Sequence, residues 1–331
     1  MKTLTLPGAD LTVSQLVFGC WGITSDFHWG SRDEADSLAA IHAALDAGVN
    51  FFDTAAAYGD GNSERLLGKA LAGRRDQVVI ASKATPGEMD PRRIPTACEQ
   101  SLERLGVDYL DLYQTHWANP DFPLADSWGA LVKLQQQGKV RHIGVCNAGV
   151  GHLAEVSAVA RPATNQLPYN LLWRMIERQI LPKCRELNLP VLVYSPLMHG
   201  LLSGKYRSAA DVPDGMARSR HFNTERKLAR HGEPGCEEET FAAITAIDAI
   251  CRSLGRPMAE VALNWVAQQP GVSCVIAGAR TPEQLAQNVA TLDNPLSDDA
   301  LQQLNEATAA LDRALGPNPD MWDGGDKSRF Q

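Results

Sequence analysis

A chain of 331 residues, with 44% apolar and 21% charged residues, is long enough for one large α/β barrel or for two ordinary globular domains. Its net charge of −8, without a basic block, excludes the composition of a nucleic-acid-binding protein, and no apolar run approaches the length of a membrane helix. The first residues lack the apolar segment of a signal peptide, and the seven dispersed cysteines contain no C-x-x-C pair, so we expect a cytoplasmic protein with reduced thiols.

In chain order, short apolar runs alternate with longer helix-like segments. A hairpin is predicted at 3–6 and 11–13, because Pro7 to Asp10 supply a turn between them. Eight more strands are predicted at 16–19, 49–53, 77–82, 109–114, 140–145, 163–167, 190–194 and 273–277. The first helix is predicted to open with a capping box at Ser31 to Glu34 and to close at Gly48. Further helices are predicted at 63–72, 91–105, 124–137, 151–160, 174–188, 237–254, 258–268, 282–291 and 297–314.

This alternation predicts the fold. Strands that alternate with helices form parallel sheets with right-handed crossovers, and eight such units favour an α/β (β/α)8 TIM barrel with an N-terminal β-hairpin and an extra C-terminal helix. No linker divides the chain, so we interpret 1–331 as a single domain. The segment 198–236 after strand seven is too long for an ordinary connection, which is typical of a lid or a disordered loop. The tail, 316–331, is expected either to be flexible or to cover the barrel mouth.

The carboxyl ends of the barrel strands carry polar side chains, and active sites of this fold lie at that end. The residues at these ends are Asp53, Lys83, His116, Asn147, Gln166, Tyr194 and Gly278. Contact with solvent alone explains scattered polar residues. It explains less well an Asp, a Lys and a His on three successive strands.

These three residues predict a proton-donating site together with Tyr58, five positions after Asp53. A buried Asp53 needs a cation, because burying a lone charge is costly, and Lys83 on the next strand is the nearest candidate. We expect the lysine cation to lower the pKa of Tyr58 from its ordinary value near 10. His116 is expected to orient a carbonyl oxygen, so the site is suited to reducing a carbonyl or oxidising an alcohol.

Three motif blocks strengthen this interpretation. They are Asp53-Thr54-Ala55 with Tyr58-Gly59, Glu64 and Leu67-Gly68; Ser101 to Leu105 with Asp108 to Tyr113 and His116; and Gly138 to Val145 with Asn147. In this order they resemble the signatures of the aldo-keto reductases, over about residues 3–314. The long segment after strand seven resembles the bacterial branch that includes aryl-alcohol and inositol-operon reductases. The resemblance implies an NADPH-dependent oxidoreductase of aldehydes or ketones, with Tyr58 as general acid/base, Asp53 and Lys83 tuning it, and His116 binding the carbonyl.

The resemblance also implies how a nicotinamide cofactor is bound. Asn147 and Gln166 are expected at the carboxamide, and Tyr194 on the ring. The other implied cofactor contacts are Gly19, Trp21, Asp53, Ser195, Pro196, Leu197, Gly200, Leu202, Gly204, Lys205, Gly278, Arg280, Gln284 and Asn288. A helix start at Thr281-Pro282 favours phosphate, and the Arg280 guanidinium suits a 2′-phosphate or an adenine face, so NADPH is preferred, with NADH as the alternative. Cys146 replaces the usual serine before Asn147, which weakens one expected carboxamide contact.

The substrate pocket is expected to contain Trp21, Trp29, Tyr58, His116 and Trp117, although core packing is an equally open reading of the tryptophans. The partner is a small carbonyl compound or a sugar-derived molecule, with no nucleic acid and no membrane, and a homo-oligomer stays open. No metal site is predicted, because the remaining histidines show no metal-binding spacing and are interpreted as surface or packing residues. They are His28, His42, His142, His152, His199, His221 and His231.

Two other functions, a Rossmann dinucleotide site and a redox-sensing regulatory subunit, fit parts of the sequence. The segment Gly149 to Ala154 matches G-x-G-x-x-A, but four strand–helix units precede it and no acid ends the following strand, which argues against a Rossmann dinucleotide site. Some relatives of the aldo-keto reductases are regulatory subunits that sense the nicotinamide redox state with little turnover. The complete set of Asp53, Tyr58, Lys83 and His116 argues against that alternative.

Overall fold

The computed structural model describes residues 1–25 and 30–331, without the side chain of Asp326. Its strands are β1 (Thr3–Thr5), β2 (Thr12–Ser14), β3 (Leu16–Gly19), β4 (Phe51–Asp53), β5 (Val79–Ala84), β6 (Leu110–Thr115), β7 (Val140–Cys146), β8 (Asn165–Pro168), β9 (Val191–Tyr194) and β10 (Val272–Ala277). Its α-helices are α1 (Glu34–Asp46), α2 (Asn62–Ala70), α3 (Ile94–Leu105), α4 (Leu124–Gln136), α5 (Val150–Val159), α6 (Ile180–Glu186), α7 (Glu237–Leu254), α8 (Met258–Ala267), α9 (Pro282–Thr291) and α10 (Asp298–Leu315).

The strands from β3 to β10 form a closed barrel in which all neighbouring pairs are parallel. The pairing of β10 with β3 closes it, and β1 pairs with β2 as a separate antiparallel hairpin. The prediction of a (β/α)8 barrel with an N-terminal hairpin is therefore confirmed.

The barrel wall separates two hydrophobic clusters, because successive side chains of a strand point to opposite faces. Along β4 and β5, Phe51, Val79 and Ala81 belong to the inner cluster, whereas Phe52 and Ile80 belong to the outer one beneath the helices. Side chains of the hairpin and its turn complete the inner cluster: Leu6, Ala9, Leu11 and Val13. The hairpin therefore closes the amino-terminal end of the barrel and leaves the opposite end for the site.

Several helix starts differ from the predictions, and two of them have a local explanation. Helix α1 is capped by Asp33, which accepts a 2.7 Å bond from the Ala35 N–H, so the predicted capping box at Ser31 is wrong. The hydroxyl of Ser25 bonds both the N–H and the carbonyl of Arg32, which holds that residue outside the helix. The helix predicted at 174–188 begins only at Ile180, because proline is tolerated only in the first turn and this chain has Pro182 there.

The long segment after β9 and the tail are joined to each other at the carboxyl end of the barrel. Arg220 is buried, and its guanidinium donates to the carbonyl oxygens of Leu315 (2.7 Å) and Asn318 (2.9 Å) and forms an ion pair with Glu233 (2.7 Å). Within the tail, buried Asp320 accepts two 2.8 Å bonds from the Arg329 guanidinium. The assignment of 1–331 to one domain, and a lid role for 198–236, stay predictions.

Three further features bear on the class of protein. All seven cysteines are free. None of the helices in the described ranges is long and apolar enough to cross a membrane. Within the same ranges, His, Cys, Asp and Glu side chains form no group of three or more that could hold a metal ion.

Candidate active site

Strand periodicity directs the two charged residues to the barrel axis. Asp53 lies two positions after the inner-cluster residue Phe51, and Lys83 lies two positions after Ala81. Both therefore extend the inner face of their strands to the carboxyl end. The neighbouring strands β4 and β5 are paired in register through Asp53 and Ala81, which brings the two charged side chains together.

Asp53 and Lys83 form a buried ion pair. The Lys83 Nζ lies 2.7 Å from the Asp53 Oδ2, 2.8 Å from the Thr54 carbonyl oxygen and 3.3 Å from the Tyr58 hydroxyl, so all three ammonium protons have an acceptor. Its side chain is 0% exposed. Burial lowers the pKa of Lys83, but Asp53, Tyr58 and Cys146 together raise it by more, so the net shift of the pKa is upward. The lysine therefore stays charged at neutral pH.

Tyr58 is held in a tight turn that follows β4. Its N–H donates to the Ala55 carbonyl (3.1 Å), and the next residue, Gly59, has φ +56°. A Cβ on Gly59 would lie 2.8 Å from the Cβ of Thr24, so both the backbone angle and the space favour glycine there. The Trp21 ring stacks on the Tyr58 ring at a centroid distance of 5.9 Å.

Burial decides the protonation of Tyr58. It raises the pKa of the Tyr58 hydroxyl to about 12, and the opposing effect of the Lys83 cation is smaller. The expectation of a net lowered pKa is therefore wrong, because desolvation of the tyrosinate outweighs its attraction to the ammonium group. The phenol consequently carries its proton at neutral pH and is able to donate it.

His116 follows β6 and faces the tyrosine. Its ring meets the Tyr58 ring edge-on, with centroids 5.8 Å apart, and its backbone N–H donates to the Ala84 carbonyl (2.9 Å). Burial, followed by the charges of Lys83 and Arg329, lowers the pKa of His116 to about 3. The imidazole is therefore neutral at neutral pH, with one N–H for donation and one nitrogen that accepts.

Two amides and a second tyrosine surround this centre. Gln166 donates from Nε2 to the Asp53 Oδ1 (2.8 Å), and Asn147 donates from Nδ2 to the His116 carbonyl (3.0 Å). The Tyr194 hydroxyl donates to the Asn147 Oδ1 (2.8 Å). A primary amide can form about four hydrogen bonds, and these contacts use one at Gln166 and two at Asn147. Both side chains therefore keep capacity for a carboxamide.

A cavity of about 620 Å³ opens above these side chains. Its lining includes the predicted residues Trp21, Tyr58, His116, Trp117, Asn147, Gln166, Tyr194 and Ser195. It also includes residues that the sequence did not single out for the site: Ala57, Gly59, Asp60, His199, Arg218, Leu228, Arg230, Trp322 and Arg329. Trp29, predicted for the same pocket, lies outside the described residues.

Most of the residues that sequence reasoning missed come from the segment after β9 and from the tail. His199, interpreted as a surface or packing residue, is buried and lies 5.2 Å from Trp322 between ring centroids. Arg329 lies with its guanidinium carbon 3.5 Å from the centre of the Trp117 ring. Neither segment has a helical or strand period, so the sequence contained no signal for which side chains turn toward the mouth.

The other predicted cofactor residues do not line this cavity. Asp53 lies beneath it, and Gly19 is the last residue of β3. The rest follow β9 and β10: Pro196, Leu197, Gly200, Leu202, Gly204, Lys205, Gly278, Arg280, Gln284 and Asn288. Gly19 and Gly278 are close neighbours, because a Cβ on Gly278 would lie 3.2 Å from the Gly19 carbonyl oxygen. From the second half of α9, Asn288 donates to the Gly278 carbonyl (3.3 Å), and in its first turn Gln284 accepts from the Arg280 N–H (2.9 Å).

The glycines of the G-x-G-x-x-A segment contact the tail. The His152 N–H donates to the Gln331 carbonyl oxygen (3.0 Å) at the start of α5. A Cβ on Gly149 would lie 2.2 Å from that oxygen, and one on Gly151 would lie 3.0 Å from the Gln331 carbonyl carbon. Close approach of a second backbone therefore explains these two glycines without a dinucleotide.

Comparison with known proteins agrees with this geometry. The model of the aldo/keto reductase family matches residues 15–309. The chain belongs to the aldo-keto reductase family. It is 33% identical to the aldo-keto reductase YhdN of Bacillus subtilis (strain 168), over 86% of this chain and 87% of that protein. It is 32% identical to the NADH-specific methylglyoxal reductase of Escherichia coli (strain K12), over 95% of this chain and 100% of that protein.

Solved structures of this family resemble the barrel described here. The glycerol dehydrogenase of Gluconobacter oxydans has a TM-score of 0.79 and 32% identity, covering 96% of this chain and 97% of its own. An aldo-keto reductase of Klebsiella pneumoniae in complex with NADPH has a TM-score of 0.72 and 30% identity, covering 100% of this chain and 99% of its own. The protein is therefore an oxidoreductase related to carbonyl reductases, with a nicotinamide as the family's cofactor.

Proposed function

We propose that this protein is an NADPH-dependent carbonyl reductase in which Tyr58 donates the proton to the substrate oxygen. The observation that carries the proposal is the contact of the Tyr58 hydroxyl with the buried Lys83–Asp53 pair at the floor of the cavity. When bound, the nicotinamide supplies or accepts the hydride. The same groups serve alcohol oxidation in the reverse direction.

The proton moves from the Tyr58 hydroxyl to the carbonyl oxygen as negative charge develops there. The raised pKa keeps the phenol protonated until the substrate needs the proton. The Lys83 ammonium, 3.3 Å away, stabilises the tyrosinate that remains, and Asp53 keeps that ammonium charged. General acid catalysis of this kind contributes about 10²–10⁴ to a rate.

His116 orients the substrate carbonyl. Because its pKa is low, the imidazole is neutral and can donate one N–H to the same oxygen without transferring its proton. The ring of Tyr58 stacks on Trp21 and meets His116 edge-on. This packing limits the direction from which a carbonyl oxygen can approach the hydroxyl.

The polar groups around the site are suited to a nicotinamide dinucleotide. The amides of Asn147 and Gln166 lie beside the cavity, where they can bind a carboxamide. The start of α9, capped by Thr281, offers backbone N–H groups to a phosphate, and Arg280 immediately precedes it. The names of the relatives include both NADH and NADPH, so our preference for NADPH rests on Arg280 and the α9 terminus.

Turnover by the wild type and a Tyr58→Phe variant tests the proposal. Nicotinamide absorbance is followed with NADPH and then NADH, against methylglyoxal, aromatic aldehydes and keto-sugars. The reverse reaction is followed with glycerol and NADP⁺ or NAD⁺ as the hydride acceptor. We expect Tyr58→Phe to lower turnover by at least about 100-fold, because only the proton donor is lost. Its cofactor affinity, measured by protein fluorescence, should stay within about twofold.

Tyr109→Phe is the matched control, since Tyr109 precedes β6 at the opposite end of the barrel. It should turn over like the wild type. Cofactor binding with no turnover of any carbonyl or alcohol would overturn the reductase proposal in favour of a redox-sensing subunit. Failure to bind either nicotinamide would exclude both functions.

A further inference from the structure

Two arginines meet where α9 begins. Arg280 follows β10 and precedes Thr281, the cap of α9. Arg32 precedes α1 by two residues, and its Nη2 donates a hydrogen bond to the Arg280 carbonyl oxygen. The helices α1 and α9 pack against each other, so the loop that leaves β3 reaches the loop that leaves β10.

The backbone of Arg32 is fixed on both sides. The Ser25 hydroxyl accepts from the Arg32 N–H (2.8 Å) and donates to its carbonyl oxygen (3.1 Å). Asp33, the next residue, uses its carboxylate to cap α1. The position of the Arg32 guanidinium is therefore set by the loop and by the bond to Arg280.

The electrostatics of this pair are unfavourable on their own. Burial and then the charge of Arg280 lower the pKa of Arg32, and the acids Asp36 and Asp33 only partly oppose them. The Nε of Arg32 is buried and has no hydrogen-bond partner among residues 1–25 and 30–331. A buried donor without a partner and two adjacent cations both cost free energy. An anion that accepts from both guanidinium groups would remove both costs.

The surroundings fit a phosphate. The α9 terminus directs backbone N–H groups outward, and the Thr281 hydroxyl accepts from the Gln284 N–H (3.3 Å). Glu283, in the first turn, carries the opposing charge, and a hydrogen bond to Thr281 lowers its pKa and so keeps it ionised. Because Glu283 is fully exposed, solvent and salt screen that charge. Two guanidinium groups provide donors in a geometry that matches phosphate oxygens.

We propose that Arg32 is the second guanidinium that binds the 2′-phosphate of NADPH, together with Arg280, and that it selects NADPH against NADH. This inference rests on the proposed use of NADPH. It assigns selectivity to two loops that are more than 240 residues apart in sequence and adjacent in the barrel.

Binding of 2′,5′-ADP and 5′-AMP tests the inference by calorimetry, because the two probes differ only in the 2′-phosphate. Charge-assisted hydrogen bonds contribute enough to predict that Arg32→Gln weakens 2′,5′-ADP binding by about 10- to 100-fold. The affinity for 5′-AMP should stay within about twofold. Arg32→Lys should fall between the wild type and Arg32→Gln, since it keeps the charge and loses the paired donors.

The control and the contrary outcomes separate this inference from the proposed function. Arg74→Gln, an exposed arginine beyond α2, should leave both affinities unchanged. If Arg32→Gln lost the same affinity for both probes, or lost affinity for neither, the proposed role of Arg32 would be overturned. A wild type that binds both probes equally would overturn the preference for NADPH as well. Neither probe contains nicotinamide, so the result is independent of whether Tyr58 supports turnover.

Discussion

Replacement of Asp53 by asparagine isolates the buried ion pair. Both Asp53 oxygens face donors, Lys83 Nζ at Oδ2 and Gln166 Nε2 at Oδ1. An asparagine has one oxygen and one NH2 group, so in either orientation it directs a donor at a donor. The substitution is nearly isosteric but leaves a buried ammonium without its counter-charge.

The magnitude follows from the burial of the pair. Removing one partner of a buried ion pair costs about 3–5 kcal/mol. A chain of this length has an unfolding entropy of about 0.7 kcal/mol per kelvin near 60 °C, so Asp53→Asn should lower Tm by about 4–7 °C at pH 7. In the wild type, the pKa of Lys83 in the folded protein is raised above its value in the unfolded chain. The contribution of Lys83 to the free energy of unfolding is therefore complete below the unfolded-state pKa and is lost as pH rises through the folded-state pKa.

The variant should show the opposite pH dependence. Without Asp53, burial is the main effect on Lys83 and disfavours its charged form, so its pKa in the folded variant should fall below its value in the unfolded chain. Deprotonation of Lys83 then relieves the cost of burying the charge, and the stability of the variant should recover as pH rises toward about 10. Thermal unfolding of both proteins between pH 7 and pH 10 measures this difference. Glu34→Gln, which breaks the exposed Lys69 pair, should change stability by less than about 1 kcal/mol. An Asp53→Asn protein that melts within 1 °C of wild type at pH 7 would refute the reasoning.

Two further predictions concern the mouth. Gly149→Ala should displace the end of the tail, because its Cβ would lie 2.2 Å from the Gln331 carbonyl oxygen. Trypsin should then cut after Arg329 faster than in the wild type. Gly129→Ala is the control, because a Cβ on Gly129 would meet open space, and it should be cut at the wild-type rate. Equal rates of cutting in all three proteins would contradict the contact between Gly149 and the tail. Tyr194→Phe keeps the ring but removes the donor to Asn147, so unfolding in urea should show a loss of about 1–2 kcal/mol. A loss below about 0.3 kcal/mol would mean that the hydroxyl contributes nothing.

The barrel and its charged centre were predictable from the sequence, because both depend on local periodicity. Strand alternation places Asp53 and Lys83 on the inner face, and one strand–helix unit of spacing brings them to adjacent strands. The protonation of Tyr58 was not predictable, since it depends on how completely Trp21 and the turn bury the phenol. Desolvation is a property of the packed structure and has no signature in the spacing of residues.

The outer part of the site was also beyond sequence reasoning. Trp322 and Arg329 reach the cavity through contacts that join segments far apart in the chain, such as Arg220 with Leu315. Irregular backbone has no period that assigns a side chain to a face. The same limit applies to the start of α1, where the sequence predicted a capping box at Ser31 and the structure has Asp33 as the cap. The Ser25 hydroxyl, six residues before Ser31, accepts from the Arg32 N–H and holds Arg32 outside the helix.

The bond between Asp53 and Gln166 crosses the barrel from β4 to β8, which are four strands apart in a closed ring of eight. These strands are diametrically opposed, so the 2.8 Å distance depends on the diameter of the barrel at its upper rim. A larger side chain in the layer below, for example at the fully buried Ala81, would widen the ring and stretch this bond. Engineering for new substrates should therefore vary the loops and the tail and keep the interior volume constant, because the bond between Gln166 and the buried Asp53–Lys83 pair depends on the width of the barrel.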